Sequence, residues 1–193
     1  MNIGNAVLFV VDVQNGFCNE FSEPTVRRRI VPLVRRWSEA RLPMIFTRYH
    51  NYPGSKFERL LGWTEVQHSP DTDLVDDLVP YGPAAVTVAD KTGYSVFTAE
   101  VTGLVDTYSW TDLVFCGMDT DTCVLKSVAD AFEREHTPWL VRDACASHGS
   151  RGQHRAGITM AGRFIGQNQL ITHRQVASAL AVAPARHDKE NTR

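Results

Sequence analysis

Three features of the sequence predict an α/β protein built on a parallel sheet with helices on both faces. Short apolar, β-rich runs alternate with segments of helical periodicity. The runs are apolar at almost every position rather than every second one, as expected of strands buried on both faces. Polar or reactive groups (Asp12, Arg48, Lys91 and the turn before Cys123) follow the carboxyl ends of four runs, where such sheets bind ligands.

The elements follow in order. Residues 6–11 form a first strand that ends at Asp12. Residues 25–40 read as an amphipathic helix with Val26, Ile30, Leu33, Val34 and Trp37 as its apolar stripe. Residues 43–47 make a second strand, and a loop over 48–70 contains Pro53-Gly54. Loops of that length in compact domains serve as lids or binding loops. A third strand over 84–89 stops just before Asp90-Lys91, and a short helix covers 98–107. Residues 113–116, 138–141 and 169–172 give three more strands. Helices are predicted over 121–136, 151–166 (weakened by Gly152, Gly157 and Gly162) and 174–182. The domain is expected to span 1–183, with 184–193 a polar, disordered tail.

A chain of 193 residues with 43% hydrophobic content can bury one substantial core and is short for two. A formal net charge of −2 gives no reason to invoke nucleic acid or an anionic membrane. Arg27-Arg28-Arg29 and Arg35-Arg36 fall in one helical pattern and read as a solvated face or subunit contacts. No segment approaches the roughly 20 apolar residues that span a bilayer. The start, Met1-Asn2-Ile3-Gly4-Asn5, lacks the basic region of a signal peptide. Cys18, Cys116, Cys123 and Cys145 show neither a disulfide framework nor the spacing of a structural zinc site. The expectation is a reduced, cytoplasmic enzyme or binding protein.

The stretch Cys116-Gly117-Met118-Asp119-Thr120-Asp121-Thr122-Cys123-Val124 carries the chemistry. An apolar run stops at a glycine, a polar turn follows, and Val124, Val128 and Phe132 then recur at helical spacing. Cys123 thus falls in a helix's first turn, among N–H groups without intrahelical partners and at the positive end of the dipole. That position predicts a lowered thiol pKa, and the N–H groups suit an oxyanion. A cysteine nucleophile needs a proton acceptor, and Asp12 and Lys91 stand at neighbouring strand ends. Taken singly, Asp12 reads first as a turn cap and Lys91 as a surface lysine, and Cys123 reads equally as a buried small hydrophobe.

Four motifs closely resemble the isochorismatase-like cysteine hydrolases: Asp12-Val13-Gln14-Asn15-Gly16-Phe17, Lys91-Thr92-Gly93-Tyr94-Ser95-Val96-Phe97, the stretch around Cys123, and Arg142-Asp143-Ala144-Cys145-Ala146-Ser147. The resemblance runs from about residue 6 to 172 and is specific for the superfamily rather than for a substrate. It implies a three-layer, Rossmann-like α/β/α fold with a six-stranded parallel sheet in the order 3-2-1-4-5-6. It also implies a triad in which Asp12 takes the thiol proton of Cys123 and Lys91 keeps Asp12 ionised. The oxyanion would be held by the backbone N–H groups of Asp119 and Cys123, after a cis peptide between Met118 and Asp119. Phe17 matches an aromatic pocket wall, and a homo-oligomer, dimer or tetramer, is expected.

Nicotinamidases of this group carry an aspartate-and-histidine metal site after the second strand. Here His50 matches one ligand position, but Arg48 and Lys56 stand where other ligands would be. Two cations cannot ligate and repel a divalent ion, so neither a metal nor another cofactor is expected. Arg48 instead becomes a candidate grip for a carboxylate or ureido oxygen. Trp63 and Tyr94 join Phe17 as candidate substrate walls. Thr120 and Asp121 are expected to shape the turn, and His154 to be structural. The leading expectation is a metal-independent cysteine amidohydrolase acting on a small-molecule amide, lactam or carbamoyl group. Isochorismatase-type vinyl ether hydrolysis and a catalytically silent binding module are the alternatives. A redox sensor is disfavoured because no resolving cysteine is evident.

Overall fold

A computed structural model of the chain describes residues 1–182, so the expected tail over 184–193 lies outside the described residues. Six strands form one parallel sheet: β1 (Ala6–Val11), β2 (Met44–Tyr49), β3 (Thr87–Lys91), β4 (Asp112–Met118), β5 (Thr137–Ala146) and β6 (Leu170–Ile171). Their spatial order is β3-β2-β1-β4-β5-β6, the order the resemblance implies, and every pairing is parallel. All six residues of β1 are fully buried, and the two faces they supply explain the unbroken apolar run. Ala6, Leu8 and Val10 point into one core layer, and Val7, Phe9 and Val11 into the other.

The first layer is closed by α1 (Val31–Glu39), which continues a wider π-type turn, Val26–Ile30. Val26, Ile30, Leu33, Val34 and Trp37, the predicted stripe, are all buried there. The second layer is closed by α3 (Ala99–Tyr108), α4 (Leu125–Glu133) and α5 (Arg151–Phe164), through Val101, Val105, Val128 and Ala161. On α4 the expected core residue Phe132 is exposed and Ala131 is buried instead, because three residues from Val128 fit the contact face better than four. Two further helices are α2 (Lys56–Leu61) and α6 (His173–Val182).

The predicted loop over 48–70 therefore contains α2. Its start is capped by Ser55, whose Oγ accepts from the Glu58 N–H at 3.1 Å, while the Glu58 carboxylate accepts from the Gly54 N–H. The third strand begins three residues later than expected and runs on through Asp90 and Lys91, because Val79–Ala84, with Pro80 and Pro83, forms a 3₁₀ turn. The result places Lys91 inside a strand beside Tyr49, its partner in register on β2.

Candidate active site

β1, β3 and β4 all end at the same sheet edge and bring Asp12, Lys91 and Cys123 together. Asp12 follows β1 with φ of 48°, a left-handed conformation that aspartate tolerates better than most residues. Its Oδ1 accepts from Thr47 Oγ1 at 2.7 Å, and its Oδ2 meets Lys91 Nζ at 2.6 Å. Both side chains are essentially inaccessible to solvent. The Lys91 ammonium also donates to Gly93 O at 2.8 Å and Tyr94 O at 3.1 Å, and reaches Cys123 Sγ at 3.5 Å.

Cys123 sits in the wide turn Thr120–Val124 that leads into α4. The turn is held from three sides. Gly117, with φ of 121°, lies where a Cβ would stand 2.2 Å from Val11 O, so only glycine lets β4 pass β1 into the turn. The next peptide but one, Met118–Asp119, is cis. From the far side Gly157 of α5 seats the backbone of Thr120 and Asp121, with a Cβ there only 2.8 Å from both residues. Thr120 Oγ1 pairs with His154 Nδ1 at 2.8 Å, and Asp121 Oδ1 accepts from Ser147 Oγ. These contacts give Thr120, Asp121 and His154 the supporting place expected of them.

The electrostatics reverse one expectation. Burial pushes the Cys123 thiol well above its ordinary pKa, the Asp12 carboxylate pushes it further, and Lys91 only partly offsets them. The direction is therefore opposite to the lowering expected from the helix start. Burial alone would lower Lys91, yet the charge and hydrogen bond of Asp12 overcome it and hold the ammonium above its ordinary value.

Above the sulfur lies a cavity of about 280 Å³. Phe17, Trp63 and Tyr94, all expected, line it together with Tyr49 and Phe57, which were not singled out. The rings pack on one another: Phe17 and Trp63 stack with centroids 6.1 Å apart, and Phe57 meets Tyr94 edge-on at 4.9 Å. Leu61, Thr122, Asp119 and His148 complete the wall. His148 lies in the loop after β5; its N–H donates to Asp119 Oδ1 at 2.9 Å, and its ring Nδ1 pairs with Asp119 Oδ2. That bond raises the His148 pKa, against a smaller opposite effect of burial.

Arg48 is not in this wall. Side chains alternate along β2, so Thr47 and Tyr49 face the site and Arg48 faces away. There it makes a bidentate pair with Asp90, its partner in register on β3, at 2.8 and 3.1 Å. His50 Nε2 pairs with the same carboxylate at 3.0 Å. The period of two was the available signal: it favours Tyr49 over Arg48. No comparable signal marks His148, whose contact with Asp119 spans 29 residues and depends on a loop. Among the described residues no group of three or more His, Cys, Asp or Glu side chains converges as a metal site would.

Residues 6–174 match the isochorismatase domain model. Over 165 residues the chain is 28% identical to the ureidoacrylate amidohydrolase RutB of Pantoea ananatis, a match covering 85% of this chain but 60% of that protein. It is 26% identical to isochorismatase family protein 1B of Dictyostelium discoideum, covering 95% of this chain and 88% of that one. Among solved structures it resembles a cysteine hydrolase from Pseudomonas syringae pv. phaseolicola (TM-score 0.76, 20% identity, 94% of each chain). It equally resembles the nicotinamidase PncA of Bacillus subtilis (TM-score 0.76, 21% identity, 87% of this chain and 99% of that one). Among the described residues no helix is long and apolar enough to cross a membrane.

Proposed function

Because this chain belongs to the isochorismatase-like cysteine hydrolase superfamily, we propose that it hydrolyses a C–N bond of a small amide, lactam or carbamoyl compound through a thioester on Cys123. The observation that carries this reading is the buried meeting of Asp12, Lys91 and Cys123, at 2.6 Å and 3.5 Å from the shared ammonium, under an open cavity. As Sγ attacks the carbonyl carbon, Asp12 takes the thiol proton and the carbonyl electrons move to oxygen. The backbone N–H groups of Asp119 and Cys123 hold that oxyanion. Collapse breaks the C–N bond, and the amine leaves with the proton from Asp12. Water, activated by Asp12, then cleaves the thioester and restores the thiol. Lys91 stays protonated throughout and keeps Asp12 charged between the transfers.

The reaction proceeds without a metal in this reading. Its support is the region from the end of β2 to the start of α2, where Arg48 and Lys56 bring positive charge and Arg48 together with His50 occupies Asp90. We further propose that the working form is a homo-oligomer, which light scattering tests.

A coupled ammonia-release screen over amides, lactams, ureas and carbamoyl compounds identifies the substrate class. With a substrate in hand, Cys123→Ala is expected to abolish turnover, and rapid-quench mass spectrometry to find the acyl group on Cys123. Full turnover by Cys123→Ala overturns the proposal, and loss of activity on treatment with EDTA overturns its metal-free part.

A further inference from the structure

Asp119 stands in an awkward place for the chemistry proposed above. Its backbone N–H belongs to the pair that would hold the oxyanion. Its own side chain, however, is a carboxylate, only 8% exposed, in the wall of the cavity that also holds Cys123. That charge reaches the reacting centre. Burial and Asp12 do most to raise the Cys123 pKa, and the negative charge of Asp119 adds to them. Left without a counter-charge, the carboxylate would oppose an oxyanion as it opposes a thiolate.

Lys91 is committed elsewhere, to Asp12 and to the carbonyls of Gly93 and Tyr94. The group that meets Asp119 is His148. Its backbone N–H donates to Asp119 Oδ1 at 2.9 Å and its ring Nδ1 meets Oδ2, so one residue holds both carboxylate oxygens. His148 is itself anchored: Asn19 Nδ2 donates to its carbonyl at 2.7 Å, and the Phe17 ring packs on the imidazole with centroids 5.4 Å apart. On the other side, Asp119 O accepts from the N–H groups of Thr122 and Val124, which flank Cys123, at 3.2 and 3.0 Å. The pair thus links the loop after β5 to the backbone around the sulfur.

We propose that His148 is a positioning residue whose imidazolium neutralises the Asp119 carboxylate beside the oxyanion-binding N–H groups, so that protonation of this ring switches on acyl transfer at Cys123. The inference rests on the cysteine reading above and adds a control of that site by pH. The charged groups that bear most on the ring are Asp119 and Asp121 from the turn and Glu65 from the segment after α2, all carboxylates. The Asp119 hydrogen bond leads them in holding the ring's pKa above its ordinary value, against the opposite effect of burial.

Two reactions of one thiol test this without knowledge of the substrate. With p-nitrophenyl acetate, Sγ attacks the carbonyl carbon, the π electrons move to oxygen and Asp12 takes the thiol proton. Collapse then breaks the C–O bond, releases p-nitrophenolate and leaves acetyl on the sulfur. With iodoacetamide, Sγ displaces iodide from the methylene carbon and Asp12 takes the same proton, but no oxyanion forms. Both initial rates are read at Cys123 by rapid quench and peptide mass spectrometry. The acylation rate divided by the alkylation rate therefore reports on the oxyanion site and cancels the ease of removing the thiol proton.

At about pH 6 this quotient is expected to be about tenfold lower in His148→Gln than in wild type, because glutamine can offer Asp119 an N–H but no charge. At about pH 9, where the wild-type imidazole is neutral, the two proteins should agree within about threefold. Asp119→Asn combined with His148→Gln removes the charge together with its counter-charge. At about pH 6 that double variant should return the quotient to within about threefold of wild type.

Equal quotients in wild type and His148→Gln at about pH 6 would overturn the inference. So would a deficit that persists undiminished at about pH 9 or that the double variant does not repair, since either marks His148 as a structural tie. Failure of p-nitrophenyl acetate to acylate a wild-type Cys123 that iodoacetamide does label overturns it as well. If wild-type Cys123 takes neither label, the cysteine reading itself fails.

Discussion

Replacing Asp12 by Asn should make Cys123 more acidic while removing turnover, a combination that separates a proton acceptor from a merely structural carboxylate. In the wild-type site the negative charge of Asp12 is one of the causes that lift the Cys123 pKa, whereas Lys91 lowers it. Lys91 Nζ stands 3.5 Å from Sγ, which at an effective dielectric of about 20 corresponds to roughly 4.7 kcal/mol of attraction for a thiolate. At 1.36 kcal/mol per pH unit that is an upper bound of about 3.5 units. In the native site most of this attraction is cancelled by Asp12, at 2.6 Å from the same ammonium. Asn keeps the size and removes the charge, so the thiol should ionise about one to three units lower than in wild type. Thiolate absorbance at 240 nm, recorded as the difference from the matching Cys123→Ser protein, measures the shift. Turnover should fall by about 10²–10⁴ because the transferable proton has lost its acceptor. A thiol no more acidic than wild type, or turnover within tenfold of it, would refute the assignment of Asp12.

Other perturbations test the surroundings. The raised His148 pKa means its pair with Asp119 stabilises fully below about pH 6.5 and fades as pH climbs through the folded value. The melting temperature should therefore decline as pH is raised from 6.5, and His148→Gln should flatten that slope. Gly117→Ala should destabilise by about 3 kcal/mol or more in urea titration, since its Cβ meets Val11 O at 2.2 Å in a left-handed backbone. Arg48→Ala should leave KM within about twofold and stability within about 1 kcal/mol, because a partly exposed pair with Asp90 is all it loses.

The sheet was readable because burial on both faces leaves an unmistakable run such as Val7-Leu8-Phe9-Val10-Val11, and the strand order followed from the motifs that resemble the family. Lys91 was placed correctly at a strand end, but its strand was shifted because apolar Ala84-Ala85-Val86 reads as β structure while Pro80 and Pro83 direct a 3₁₀ turn there. Helix α2 was missed although Ser55-Lys56-Phe57-Glu58 carries the signature of its N-cap. Arg48 was singled out by chemical type, whereas strand alternation turns it away from the site. The sign of the thiol shift had no local signal at all. It depends on how deeply Cys123 is covered and on Asp12, which lies 111 residues earlier in the chain.

That sign bears on how the proposed nucleophile is used. A preformed thiolate beside Lys91 would react with any small electrophile that diffused into the cavity. Burial and the Asp12 charge push the thiol pKa up, and in the proposed mechanism the triad starts as a thiol, a carboxylate and an ammonium. Attack neutralises Asp12 and places the negative charge on the substrate oxygen, so the site's net charge does not change while its position does. The negative charge leaves a carboxylate already buried against Lys91 and arrives where backbone N–H groups can receive it. Deprotonation is then favourable only when a carbonyl is seated to accept that charge. In the proposed mechanism, what seats the carbonyl therefore also decides when the thiol becomes reactive.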